Sequence, residues 1–209
     1  LADPELTLSL PPAVTAAVGF DALSHSLEAY CCAFPHPFAD GVALQGMALV
    51  NGALVAAYRD GSDLGARARM MMASLAGGTA FQKGVGAVHA LSHPLSSLHG
   101  IHHGLANAVL MPYVLAFNMP VIEAKLAALA RYLDLAAPSG QAIIDWLVDL
   151  RAECDIPHRL AGLGIAETDI DTLAPLAAAD ITAVENPVAV DEDDMAALYR
   201  AALAGDLSH

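Results

Sequence analysis

The sequence has 209 residues, of which 56% are hydrophobic and 15% charged, so it has enough apolar material for one large domain with a buried core. Its formal net charge of −14 argues against binding to nucleic acid, which requires a basic surface, and against an anionic membrane surface. Aromatic residues make up only 5%, and the abundance of Ala and Leu favours an all-helical fold.

The first third of the chain predicts three helices. The first begins after Pro11-Pro12, where proline is tolerated in a first turn, and continues through AVTAAVGFDALSHSLEAYCC. The second covers about residues 39–59. The third begins at Asp63, a predicted N-cap, and passes through RARMMMASLAGGTAF.

The segment 84–118 reads GVGAVHALSHPLSSLHGIHHGLANAVLMPYVLAFN and places clustered histidines between apolar stretches. Pro94 and Pro112 are expected to limit or kink its helices. We predict a helix over about 86–95, a turn over Ser96–Gly100 and a helix over about 102–117.

Beyond Pro120 the pattern stays helical. Ser139 and Asp191 are predicted N-caps of two further helices, and Asp194 occupies the favoured acidic position in a first turn. No segment alternates strictly enough to predict a sheet. The sequence therefore predicts an all-α bundle, in which 118–209 packs behind the helices that carry the histidines.

The cysteines and the apolar runs indicate the setting of the protein. Cys31, Cys32 and Cys154 are odd in number and two are adjacent, so they suggest reduced thiols of a cytoplasmic protein and no disulfide framework. Residues 1–12 lack the pattern of a signal peptide. The apolar runs are interrupted before the roughly 20 residues that span a bilayer, so no membrane association is expected.

The histidines are the feature most indicative of chemistry, because five of the nine lie between residues 89 and 103. Asp21 and His25 are four residues apart on one predicted helix and therefore share a face. His89 and His93 have the same spacing on another helix, and His103 opens the next. A carboxylate with several imidazoles suits a divalent cation such as Fe²⁺ or Zn²⁺. Spacing alone admits His93 as a further ligand.

The same residues could have simpler roles. An isolated Asp/His pair is more often a cap, a salt bridge or a satisfied core group, but the whole set in an apolar setting favours a metal. A zincin helix needs His-Glu-x-x-His, and Ala90 occupies the glutamate position. An adjacent His-Asp pair, typical of helical metal phosphohydrolases, is missing, because His103 is followed by Gly104. Glu28, one turn after His25, is a candidate for a group behind the ligands, or for a solvated or capping residue.

Four segments resemble the C-terminal domain of the iron-containing alcohol dehydrogenase family in order and spacing. The resemblance covers nearly the entire chain, and the 14-residue separation of His89 and His103 is its most specific part. It implies a helical bundle of the dehydroquinate synthase-like type over 1–209, with the ligands within 1–118 and packing helices over 119–209. The segments are DPELTLSLPP, GFDALSHSLEAY, GAVHALSHPLSSLHGIHHGLANAVLMPYVLAFN and NPVAVDEDDMAALYRAAL.

The resemblance also assigns roles to individual residues. It implies that Asp21, His25, His89 and His103 bind one Fe²⁺, or Zn²⁺ as the alternative. It places His93 near the nicotinamide and the substrate, as a catalytic and cofactor-binding residue and not as a ligand. Phe81 falls where the family has an aromatic residue near the nicotinamide.

The activity that the resemblance implies is interconversion of alcohols and aldehydes or ketones with NAD(P), in a homodimer or larger homo-oligomer. The family's nucleotide-binding N-terminal domain has no counterpart in 1–209, which lacks a dinucleotide fingerprint, so this chain alone is expected to be nearly inactive. Two alternatives remain open: a metal-independent relative similar to maleylacetate reductase, and a stand-alone helical metal-binding module.

Overall fold

The computed structural model describes residues 2–207, and within that range its regular elements are all helical. This confirms the predicted all-α fold. Short 3-10 helices connect some of the α-helices. The α-helices of the described part are α1 (Pro12–Cys31), α2 (Pro37–Arg59), α3 (Leu64–Ala80), α4 (Ala87–His99), α5 (His103–Tyr132), α6 (Gly140–Glu153), α7 (Ile170–Ala178) and α8 (Glu192–Ala204).

The predicted N-caps are confirmed, because each side chain accepts a hydrogen bond from the first turn of its helix. Asp63 accepts from the backbone N–H of Ala66 at 2.9 Å, and Ser139 accepts from that of Ala142 at 3.2 Å. Asp191 and Asp194 form a reciprocal capping box at the start of α8. These termini are set by local hydrogen bonding, which the sequence shows directly.

The predicted end of α4 was wrong. The expected turn over Ser96–Gly100 is mostly helical, because α4 continues to His99. Gly100 then adopts a left-handed conformation with φ of 65°, and the N–H groups of Gly100 and Ile101 bond to the carbonyls of Ser96 and Leu95. This is a Schellman ending, and it moves the stop four residues beyond the prediction.

The predicted end of α5 at about residue 117 was also wrong, because the helix continues to Tyr132 through Pro112 and Pro120. Proline at position 112 has no N–H for the carbonyl of Ala108. The buried guanidinium of Arg151 in α6 donates to that carbonyl at 3.4 Å and to the carbonyl of Val109 at 3.0 Å. A tertiary contact thus replaces the missing helical hydrogen bond.

Helix α1 packs against three other helices, α2, α3 and α5. Its contact with α5 is close because position 104 is glycine: a Cβ there would overlap with the carbonyl oxygen of Ala17. Position 77 in α3 is similar, since a Cβ would lie 2.8 Å from the carbonyl oxygen of Ala22. Helix α4 packs against α5 and α7, and α6 packs along α5.

Two described helices, α2 and α5, are long and apolar enough to cross a membrane by length and composition alone. This corrects the expectation that no segment reaches that length. Most of the apolar stretch of α5 is buried within the protein, and α2 packs along α1 and α3. Core helices pass the same test, so the finding is weak support for a membrane span.

Candidate metal centre

The four residues that the resemblance groups as ligands come together from three helices. Asp21 and His25 lie one turn apart on α1, His89 lies in the first turn of α4, and His103 is the first residue of α5. Donor atoms of Asp21, His25 and His89 all lie within 4.8 Å of one another. The Nε2 atom of His103 lies 3.5 Å from Oδ1 of Asp21, and its ring centroid is 5.1 Å from that of His89.

His89 is the most buried of the four, with 2% of its surface exposed. Its Nδ1 lies 2.5 Å from Oε2 of Glu28, while its Nε2 has no hydrogen-bond partner among the described residues. An unpaired polar atom in the interior is costly and requires an explanation. A cation would satisfy this nitrogen, and the carboxylate and imidazole donors beside it are ligands that Fe²⁺ and Zn²⁺ accept. The residues therefore fit a bound cation.

Glu28 contacts the His89 ring at Nδ1 and is buried. The alternative that Glu28 is a solvated residue was therefore wrong. Oε1 accepts from the backbone N–H of Val88 at 2.8 Å, and Oε2 accepts from that of His89 at 3.3 Å. The same carboxylate therefore caps the N-terminus of α4 and contacts the His89 ring. A carboxylate on Nδ1 favours the tautomer that leaves Nε2 free for a metal.

Asn107 is a site residue that was not predicted from the sequence. Its amide Nδ2 donates to Oδ1 of Asp21 at 2.9 Å and to Oγ of Ser24 at 3.2 Å, and it lies 3.1 Å from Nε2 of His103. Ser92 contacts the other nitrogen of His103 at 3.1 Å. Asn107 follows His103 by four residues on α5, so helical spacing could have identified it.

The electrostatic environment favours uncharged imidazoles at two positions. Burial lowers the pKa of His25, although the nearby Asp21 acts in the opposite direction. Burial and the neighbouring His89 and His93 lower the pKa of His103 to about 4, again against Asp21. For His89, burial acts to lower the pKa, but the hydrogen bond that its ring donates to Glu28, together with the negative charge of Glu28, outweighs burial and raises the pKa. Neutral His25 and His103 have lone pairs available for a cation at neutral pH.

His93 lies beside this group and faces a different partner. Its ring is stacked on His103, with centroids 5.3 Å apart and an interplanar angle of 15°, and its centroid is 6.1 Å from that of His89. Its Nδ1 lies 2.7 Å from Oδ2 of Asp180, a residue that no sequence motif singled out. The donors within 4.8 Å of one another are those of Asp21, His25 and His89, and neither His103 nor His93 is among them. His103 differs from His93 in that its Nε2 lies 3.5 Å from Oδ1 of Asp21.

Phe81 lies beside His25, immediately after the end of α3. Its ring meets that of His25 edge-on at 5.3 Å, and 42% of its surface is exposed. The structure therefore places an accessible aromatic ring next to one of the candidate ligands.

None of the cysteines belongs to the group of donors formed by Asp21, His25 and His89. Cys31, Cys32 and Cys154 are buried free thiols, as expected of reduced core cysteines. Burial raises the pKa of Cys31 and Cys32 to about 12, so neither thiol ionises near neutral pH.

Comparisons with known proteins identify the same family as the sequence resemblance. Residues 15–203 match the profile of the "Fe-containing alcohol dehydrogenase family, C-terminal". A 4-hydroxybutyrate dehydrogenase from Cupriavidus necator is 42% identical over 194 residues, which cover 88% of this chain and 50% of that protein. The chain thus spans about half the length of the curated relatives it matches.

Two solved structures share the fold over almost the whole chain. A 1,3-propanediol oxidoreductase matches with a TM-score of 0.92 and 37% identity, over 96% of this chain and 55% of that one. A sulfoacetaldehyde reductase from Bifidobacterium kashiwanohense, solved with NAD⁺, matches with a TM-score of 0.89 and 29% identity, over 98% of this chain and 54% of that one.

Proposed function

The chain belongs to the Fe-containing alcohol dehydrogenase family, and on this premise we propose that it is the metal-binding part of an NAD(P)-dependent alcohol dehydrogenase. The enzyme would interconvert alcohols and aldehydes or ketones by metal-assisted hydride transfer. The NAD⁺ in the solved sulfoacetaldehyde reductase supports the choice of cofactor. Because the chain spans about half of its curated relatives, we assign nucleotide binding mainly to residues outside these 209.

The observation that carries this proposal is the convergence of Asp21, His25, His89 and His103, with an unpaired, buried Nε2 on His89. These four residues would hold one Fe²⁺, or Zn²⁺ as the alternative. Three neutral imidazoles and one carboxylate would leave about one net positive charge on a divalent cation. When bound, the cation supplies Lewis-acid polarisation of the substrate oxygen.

The chain's other residues would position the substrate and handle its proton. His93 lies next to the ligand rings, and its Nδ1 contacts Asp180 and not Asp21, so its ring would donate or accept the proton of the substrate oxygen. Phe81 is exposed beside His25 and would form a wall of the pocket that receives the nicotinamide. A cytoplasmic location and a homo-oligomer stay predictions.

Metal titration of the purified chain tests the proposal. We expect about one Zn²⁺ or, under anaerobic conditions, one Fe²⁺ per chain, because the four donors describe a single site. His89→Ala and His103→Ala should each weaken the affinity at least about 100-fold, since each removes one of four ligands. His99→Ala, which changes an exposed histidine on α4, is the matched control.

Unchanged affinity in both ligand variants would contradict the assignment of these ligands. No stoichiometric binding of Zn²⁺ or Fe²⁺ by the wild-type chain would favour the metal-independent alternative similar to maleylacetate reductase. The assignment of nucleotide binding has a separate test. Robust NAD-dependent oxidation of a simple alcohol by these 209 residues would contradict it. Metal binding by a full-length protein that shows no NAD(P)-dependent activity would favour the stand-alone metal-binding module.

A further inference from the structure

Asp180 makes a specific contact with His93 from a distant part of the chain. It follows the end of α7 and is the N-cap of the 3-10 helix Ile181–Glu185. Its Oδ2 lies 2.7 Å from Nδ1 of His93, whose side chain is 42% exposed against 18% for Asp180. The segment 119–209 therefore supplies a residue to the edge of the site.

The carboxylate of Asp180 is itself held in place. Its Oδ1 accepts from the backbone N–H of Thr182 at 2.9 Å and from the hydroxyl of Thr182 at 2.7 Å. With Oδ1 engaged by two donors, Oδ2 is the oxygen left for the imidazole. Burial acts to raise the pKa of Asp180, but these hydrogen bonds and that of His93 outweigh it and lower the pKa. Asp180 is therefore an ionised acceptor at neutral pH.

An ionised carboxylate can only accept a hydrogen bond, so the proton of a neutral His93 must reside on Nδ1. The lone pair of the ring is then on Nε2. The same ring is stacked on His103 and lies 6.1 Å from His89 between centroids, so the tautomer is fixed at the edge of the ligand group.

We propose that Asp180 is a positioning residue for His93. Asp180 holds the His93 ring with Nδ1 protonated, so that Nε2 is the atom that exchanges a proton with the substrate. The claim that Nε2 exchanges a proton with the substrate rests on the proposed function. The claim that Nδ1 carries the proton does not, because it follows from the contacts of Asp180, Thr182 and His93 alone.

Long-range ¹H–¹⁵N correlation spectra of the metal-free chain at about pH 8 test this inference, with the His93 signal assigned by its loss in His93→Gln. In the wild-type protein the Nδ1–H form should exceed the Nε2–H form about tenfold or more, as expected for a hydrogen bond to a charged acceptor. Asp180→Asn should reverse the ratio, because its amide can keep Oδ1 for Thr182 and present an N–H to His93.

Asp171→Asn, on the exposed side of α7, is the matched control and should keep the wild-type ratio. Thr182→Val, which removes one hydrogen bond to Asp180 and leaves its contact with His93, should also keep Nδ1–H as the major form. A wild-type His93 that is mainly Nε2–H would overturn the inference, and so would the same tautomer in wild type and Asp180→Asn. Because the spectra need neither metal nor substrate, failure of metal binding would leave this result standing and would count only against the proposed function.

Discussion

Two carboxylate–histidine pairs in this protein have the same contact and different surroundings. In the inner pair, Glu28 meets Nδ1 of His89 at 2.5 Å, and the side chains are 7% and 3% exposed. In the outer pair, Asp180 meets Nδ1 of His93 at 2.7 Å, and the side chains are 18% and 42% exposed. Glu28 also accepts two backbone N–H groups of α4, whereas Asp180 is held by Thr182 in its own turn.

The difference indicates what each pair contributes. Water cannot replace Glu28 easily, so the inner pair should carry both folding stability and metal affinity. Water can reach the outer pair, so Asp180 should contribute little to stability while it still selects the tautomer of His93. The carboxylate–imidazole contact of Glu28 and His89 should therefore stabilise the fold, whereas that of Asp180 and His93 should mainly set the tautomer of an accessible histidine.

The largest expected effect is that of Glu28→Ala. It leaves the His89 ring and two backbone N–H groups buried without their acceptor, and should lower the free energy of unfolding by about 3–5 kcal/mol. Urea denaturation followed by circular dichroism measures this loss. Glu28→Gln keeps the volume and should weaken Zn²⁺ affinity about 10–100-fold. A loss below about 1 kcal/mol for the alanine variant would remove the distinction between the two pairs.

Gly104→Ala should have the next largest effect, because the added Cβ would overlap with the carbonyl oxygen of Ala17 and push α5 away from α1. We expect a loss of about 1–3 kcal/mol, accompanied by weaker metal binding, since His103 is the adjacent residue. Gly52→Ala in α2 is the control: among the described residues, no atom outside the adjoining residues and backbone of its own helix lies within 4 Å of the added Cβ, and the change should stabilise the helix by about 0.5–1 kcal/mol. Equal behaviour of the two variants would refute the close-approach explanation.

Asp180→Ala should have the smallest effect on stability, about 1 kcal/mol or less near pH 7, because its partner is half-exposed. The sign of its pH dependence follows from the lowered pKa of Asp180. The carboxylate contributes stability above its ordinary pKa near 3.8, and this contribution disappears as the pH falls through the lower folded-state pKa. Denaturation curves of wild type and variant should therefore converge in acid. A difference that grows below pH 4 would contradict the expected sign.

The parts of the fold that the sequence predicted depend on local interactions. Asp63, Ser139 and Asp191 cap the helices that follow them, and a cap is visible within three residues of sequence. The extent of α5 was missed because Arg151, about 40 residues from Ala108, satisfies the carbonyl that Pro112 leaves without a donor. A proline in the sequence indicates the end of a helix, but the helix can continue where another part of the fold donates the missing hydrogen bond.

The same distinction applies to the site. Helical spacing grouped Asp21 with His25 and named His89, His93 and His103 as further candidates. The resemblance then narrowed the candidate ligands to four, which the fold brings together. Asp180 lies 87 residues from His93, so no spacing argument could have joined them. Asn107 could have been found, because it is one turn after His103, but an asparagine among histidines gave no metal signal of its own.

X-ray absorption of the Zn²⁺-loaded chain, in wild type and His93→Ala, is the most direct test of the ligand set. We predict three imidazole nitrogens and one carboxylate oxygen at about 2.0–2.2 Å in both proteins, from His25, His89, His103 and Asp21. A shell with fewer than three imidazoles, or the loss of one imidazole in His93→Ala, would contradict the division between the metal-binding residues and the outer pair.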